Sequence, residues 1–99
     1  MMLQSTPPEI LRRVNYVTKR DGTTESYDEN KISTAVAKAM KSVGMRSKML
    51  PGEVALEVTD KLNTDAEDSI VEIDFVHRAV ENVIMDMGLH DLARDYILF

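Results

Sequence analysis

Three cations stand where the chain can gather them: Lys19 and Arg20 at the end of a strand-forming run, and Lys31 in the first turn of the helix that follows. A hairpin folding back onto the start of that helix brings them near one another and near a helix N-terminus, whose unbonded N–H groups and positive dipole end favour an anion. The chemistry open to such a group is polyphosphate binding. No Gly-rich phosphate loop of the P-loop or dinucleotide type accompanies it, so simple solvation of Lys19 and Arg20 beside a turn is the competing reading. Glu25 and Asp28 lie close by and could hydrogen-bond the base or sugar of a nucleotide. Equally, Glu25 can form a cross-strand ion pair and Asp28 can cap the helix, and capping does not exclude a ligand contact. His77, beside the apolar Val76 at the start of a later helix, carries a ring that donates and accepts, which suits either a ribose hydroxyl or an ordinary amphipathic surface. His90 falls in a turn that starts the last helix, and two histidines without a shared spacing make no metal site. Catalysis has no carrier: the chain has no Cys, no Ser/His/Asp set and no carboxylate pair in an identifiable motif.

These side chains need elements to hold them. Val14–Lys19 is rich in β-branched and aromatic residues, Arg20-Asp21-Gly22-Thr23 is a turn signal, and Thr24–Tyr27 is the return strand. From Asp28 the apolar period changes from about 2 to about 3.6 residues. Ile32, Ala35, Val36, Ala39, Met40 and Val43 then form one stripe, with Asp28 as N-cap and Gly44 as the left-handed stop. After the basic connector Met45–Met49, Pro51 opens a second helix running to about Asn63, with Val54, Val58 and Leu62 on its buried side. Residues 64–68 are polar and acidic, a loop; Ser69–Ile73 is a short strand candidate. Asp74 is expected to cap a third helix lined by Val76, Ala79, Val80, Val83 and Met87 and closed by Gly88. Asp91 starts a fourth, with Ala93, Tyr96 and Ile97 at helical spacing. Met40 and Met87 are expected in the core, and Met85 with Met87 marks a candidate contact edge. Residues 1–12, with Pro7-Pro8 and no periodicity, read as a flexible leader to a domain spanning 13–99. Leu98-Phe99 ends the chain in mid-pattern, as a fourth helix cut from a longer protein would.

The chain has 99 residues, 43% hydrophobic and 29% charged, with a formal charge of −5. That suffices for one small α+β domain with a modest core. The lack of Cys excludes disulfide frameworks and thiolate zinc sites. No apolar run is long enough to span a membrane, and the start lacks the pattern of a signal peptide, so the expected compartment is cytoplasmic. Charge divides unevenly: residues 1–50 carry nine Lys/Arg against five Asp/Glu, and residues 51–99 carry three against twelve. The acidic balance argues against non-specific binding along a nucleic acid and leaves a local anion site in the first half.

Val17-Thr18-Lys19-Arg20-Asp21-Gly22, then Glu25, then Asp28-Glu29-Asn30-Lys31-Ile32, resembles the opening motif of the ATP-cone, the regulatory nucleotide-binding domain at the N-terminus of many ribonucleotide reductase large subunits. Val71–Glu81 resembles the family's second block and Asp91–Ile97 its third, so the resemblance covers about residues 14–99 with its blocks in order. It implies a β-hairpin and a third short strand covering a small bundle of four helices. It implies that Lys19, Arg20 and Lys31 meet a triphosphate, that Val17 and Ile32 line the nucleotide pocket, and that Glu25 and Asp28 lie on the adenine side. His77 then faces the sugar and senses ATP against dATP. Two departures imply weaker triphosphate binding: Ile73 stands where some members have a phosphate-contacting Thr, and a basic residue expected just past Phe99 is missing.

The resemblance further implies ATP or dATP as allosteric effector, accompanied by Mg²⁺. ATP would leave the reductase active, and dATP would drive association into an inhibited homo-oligomer. The implied partners are the remainder of the catalytic subunit and a radical-generating small subunit, with neither nucleic acid nor membrane; the domain itself would reduce no nucleotide. The alternatives are a cone from an anaerobic reductase, from a radical-generating small subunit or from the reductase's repressor, whose Cys-based zinc ribbon has no counterpart here, or a cone that serves only as an interaction domain.

Overall fold

Tyr, Val and Thr favour extended backbone and make up β1 (Tyr16–Thr18); β2 (Thr24–Ser26), with only Thr24 of this kind, is held by pairing to it, antiparallel with Val17 opposite Glu25. In the turn between them, the Gly22 N–H donates to the Lys19 carbonyl (2.9 Å) and the Lys19 N–H to the Thr23 carbonyl (2.7 Å). Gly22 takes φ +89°, the left-handed step that a β-carbon would strain. Asp21 braces the turn by accepting from the Thr23 hydroxyl (2.6 Å) and N–H (2.9 Å), and these bonds hold its carboxyl below the usual range. The computed structural model describes residues 14–98; the leader expected over residues 1–12 lies outside them.

Helix α1 (Glu29–Ser42) begins as expected at Asp28, whose carboxylate accepts from the Asn30 N–H (2.9 Å). It buries Ile32, Val36, Ala39 and Met40, with Ala35 and Val43 half-buried at the edge of the stripe. Helix α2 (Leu50–Asp65) has Pro51 in its first turn, buries Val54, Ala55, Val58 and Leu62, and continues past the expected Asn63. Strand β3 (Ile70–Glu72) pairs parallel to β1, Val17 beside Val71, giving the sheet order β2-β1-β3.

Helix α3 (Ile73–Asp86) follows β3 directly, and here the expected cap is displaced. Pairing with Thr18 keeps Glu72 extended, so Glu72 is the N-cap and Asp74 sits inside the first turn; the Glu72 side chain makes no capping bond. The buried side of α3 is Val76, Ala79, Val80, Val83 and Ile84. Met87 falls just after the last helical residue and is 38% exposed, so it is no part of the core. Helix α4 (His90–Leu98) buries Leu92, Ala93 and Tyr96 and leaves Ile97 exposed.

The four helices pack in a closed round, α1 on α2, α2 on α3, α3 on α4 and α4 on α1. The sheet adds Val17 and Val71 to their core and is pinned to α2, where the Val14 N–H donates to Asn63 Oδ1 (2.8 Å). This is the expected α+β fold of three strands and four helices. Among the described residues no helix is long and apolar enough to cross a membrane.

Candidate functional site

Antiparallel pairing puts Val17 and Glu25 on one face of the sheet. That face, the start of α1 and the start of α3 enclose a pocket of about 100 Å³, closed by Tyr96 from α4. Its wall includes Val17, Glu25, Asp28, Lys31, Ile32, Ile73 and His77, all singled out in the sequence, with Tyr27, Ala35, Val76 and Tyr96 beside them. A wider cleft of about 520 Å³ adjoins it, lined by Arg20, Asp74, His77, Arg78, Glu81, Tyr96 and Ile97. The two share Ala35, His77 and Tyr96. The smaller is a slot for no more than a flat ring, and the larger falls within the usual range for small-molecule sites.

The three cations do not converge on one point. The Lys31 ammonium donates to Glu25 Oε1 (3.1 Å), and the Lys19 ammonium lies 3.8 Å from the same oxygen. The Lys31 hydrogen bond, with the charge of Lys19, holds the Glu25 carboxyl below its usual range. Arg20 turns the other way, its Nε (3.1 Å) and Nη2 (2.8 Å) both donating to Asp74 Oδ1, which lowers the Asp74 pKa. All these pairs are open to solvent, where an ion pair contributes little stability and exchanges readily for a competing anion.

The helix N-terminus expected to take an anion is that of α1, but Asp28's own carboxylate already caps it. The start of α3, beside Arg20, has no side-chain cap, since Glu72 makes no such bond, and an anion can serve there.

His77 Nδ1 lies 3.0 Å from the Tyr96 hydroxyl, the two rings tilted by 58°. Burial, reinforced by Arg20 and opposed by Asp74, lowers the His77 pKa, so the ring is neutral near pH 7. Burial also pushes the Tyr96 phenol up to about 12. Sequence reasoning placed Tyr96 on an apolar stripe and Asp74 at a cap, missing both as site residues. A Tyr at a core position was itself the signal, because its buried hydroxyl needs a partner.

An apolar slot rimmed by acceptors, with cations and the start of α3 beside it, can hold an anionic ligand that carries a flat ring. Among the described residues no three His, Cys, Asp or Glu side chains gather to hold a metal ion.

A family model described as the ATP cone domain matches residues 15–99. A relative from Mycobacterium tuberculosis, named vitamin B12-dependent ribonucleoside-diphosphate reductase, is 34% identical over 83 residues, covering 84% of this chain and 11% of the relative. One of the same name from Thermoplasma acidophilum is 34% identical over 91 residues, covering 87% of this chain and 12% of the relative. The chain thus spans about a tenth of the length of the relatives it matches.

Proposed function

The chain belongs to the ATP cone domain family, and from that membership we propose that it is the regulatory nucleotide-binding domain of a vitamin B12-dependent ribonucleoside-diphosphate reductase, with ATP and dATP as its effectors. The observation that supports this most is the single slot onto which Val17, Glu25, Asp28, Lys31, Ile32, Ile73 and His77 fall. In this reading the base enters between Val17, Ile32, Ile73 and Val76, within reach of the acceptors Glu25 and Asp28. The sugar meets His77. The triphosphate runs into the wider cleft towards Arg20 and the start of α3, and draws Lys19 and Lys31 away from Glu25. Ile73 offers no hydroxyl, so the main-chain N–H groups of α3 serve the phosphates at that end. Mg²⁺ arrives on the triphosphate's own oxygens, the usual arrangement for this cation.

ATP and dATP differ by one hydroxyl, and a ligand shifts an equilibrium only by its differential affinity for the two states. The proposed output is therefore a choice between assembly states of the parent, an active form with ATP and an inhibited homo-oligomer with dATP. The remainder of the catalytic subunit is the first partner, in the cytoplasm, and nucleotide reduction belongs to it. Cobalamin supplies radical chemistry itself, so the radical-generating small subunit has no part in a parent of this kind.

The test is a calorimetric titration of the 99-residue chain with Mg-ATP and with Mg-dATP, with light scattering on the same samples. Binding of both, with a size change on dATP alone, is the expected result. Binding without a size change keeps the sensor here and moves the assembly surface elsewhere in the parent. Binding of neither overturns the reading and leaves an interaction domain.

A further inference from the structure

Resting on the reading above, we propose that Tyr96 is a positioning residue: its hydroxyl fixes the tautomer of His77 and thereby sets the site's choice between ribose and deoxyribose. Tyr96 is only 9% exposed, and its ring belongs to the wall shared by slot and cleft. Its hydroxyl has one hydrogen to place. Among the described residues its hydrogen-bond partner is His77 Nδ1, at 3.0 Å.

Two arrangements fit that distance. If Nδ1 carried the imidazole proton, the phenol would accept it, and the phenol's own hydrogen would be left without a partner in a buried place, a costly outcome. If the phenol donates instead, Nδ1 accepts and the proton sits on Nε2. The second arrangement places the buried phenol's hydrogen on Nδ1 and leaves only the Nε2–H, which the exposed His77 ring can offer to solvent or to a ligand. It also holds at neutral pH, because the phenol titrates far above neutrality and the imidazole below its ordinary value. The charged groups lining the cavities about the ring are Arg20 from the hairpin and Asp74, Arg78 and Glu81 from α3, with Glu25, Asp28 and Lys31 across the slot.

His77 therefore offers a ligand one donor, the Nε2–H, and no acceptor. Nε2 has no hydrogen-bond partner among the described residues, although the ring lines both cavities. A sugar oxygen satisfies it; a CH₂ in the same place leaves it unpaired, which is how a polar site rejects an analogue lacking a hydroxyl. Tyr96 adds a mechanical link, since it belongs to α4, which packs on both α1 and α3. A change of partner at His77 is thus felt on α4 through a single hydrogen bond.

The experiment uses the whole chain with ¹⁵N-labelled histidine, in the unsubstituted form and as Tyr96→Phe, which keeps the ring and removes the hydroxyl. Ring-nitrogen NMR without nucleotide is expected to show His77 with Nε2 protonated and Nδ1 bare but hydrogen-bonded. In Tyr96→Phe the Nδ1 signal should move to that of an unbonded nitrogen, a change that loss of packing alone would not produce. A proton on Nδ1 in the unsubstituted chain overturns the proposal, and that measurement stands even if the variant fails to fold. In calorimetry the ratio of ATP to dATP affinity should move towards unity in Tyr96→Phe by about three- to tenfold, the worth of one hydrogen bond. An unchanged ratio overturns the claim on sugar choice. If the unsubstituted chain bound neither nucleotide, the proposed function would fall and the sugar choice with it, while the nitrogen signals would still decide the positioning.

Discussion

Glu25 holds Lys31 at 3.1 Å and Lys19 at 3.8 Å, the two lysines that the proposed function gives to a triphosphate. A triphosphate carries more charge than one carboxylate and can take both lysines, so the cations are kept in position without being committed. Replacing Lys31 by Ala removes one charge-assisted contact, and Mg-ATP affinity should fall by about ten- to a hundredfold in calorimetry. The melting temperature should hardly move, because the pair is exposed. Unchanged affinity would remove Lys31 from the phosphate site. Much of the candidate site was legible residue by residue, since Arg20, Glu25, Asp28 and Lys31 lie within a short hairpin-to-helix stretch where neighbours in sequence are neighbours in space; Lys19 lines neither cavity and reaches them only through Glu25. What escaped were contacts made at long range. Arg20 meets Asp74 and His77 meets Tyr96, and no spacing rule connects a strand end to a helix begun fifty residues later.

Among the elements, α1 carries the clearest local signals, and its start can be tested alone. Asp28→Ala removes the acceptor of the Asn30 N–H. That should cost about 1 kcal/mol, seen as a melting temperature lower by roughly 4–8 °C; a smaller loss would mean that solvent caps the helix as well as Asp28 does. The start of α3 obeys another rule. The sequence offers Asp74 as a cap in the usual form, but β3 must stay extended through Glu72 to pair with Thr18, so the helix starts at once and Asp74 turns to Arg20. Tertiary pairing overrode a local preference. Spacing likewise failed at one helix end: Met87 continues the stripe of Val76, Val80 and Val83 only on paper, because α3 stops at Asp86. Ile84 holds that side instead.

Over the whole molecule the shifted groups add up in one direction. Asp21, Glu25 and Asp74 release their protons more readily when folded, from ordinary values of 3.8 to 4.5, and His77 does so from 6.5. The unfolded chain therefore binds more protons in acid, and stability rises with pH across that range. The His77 share is present above 6.5 and lost as pH falls through its lower folded value. The carboxylate share goes the same way below 4.5. Tyr27 and Tyr96 act oppositely: their shares are intact below pH 10 and are lost as pH rises, for Tyr96 to about 12. Scanning calorimetry across pH should find the highest melting temperature between 6.5 and 10, with a shallower alkaline decline in Tyr96→Phe. An equally steep decline in that variant would show that Tyr96 contributes nothing to it.

The parallel pairing of β1 with β3 also bears on how the molecule is born. Tyr16 finds Ser26 within one hairpin, but its other partner, Ile70, lies fifty-four positions further on. A two-stranded hairpin is marginal by itself. On the ribosome, β1 therefore waits with one edge unsatisfied while α1 and α2 are made, roughly three to ten seconds at ordinary synthesis rates. The slot draws its walls from β1, β2, α1, α3 and α4, so it does not exist until Tyr96 has been made and has folded back. A nascent chain therefore cannot fill the slot early: any ligand held there reports a finished fold.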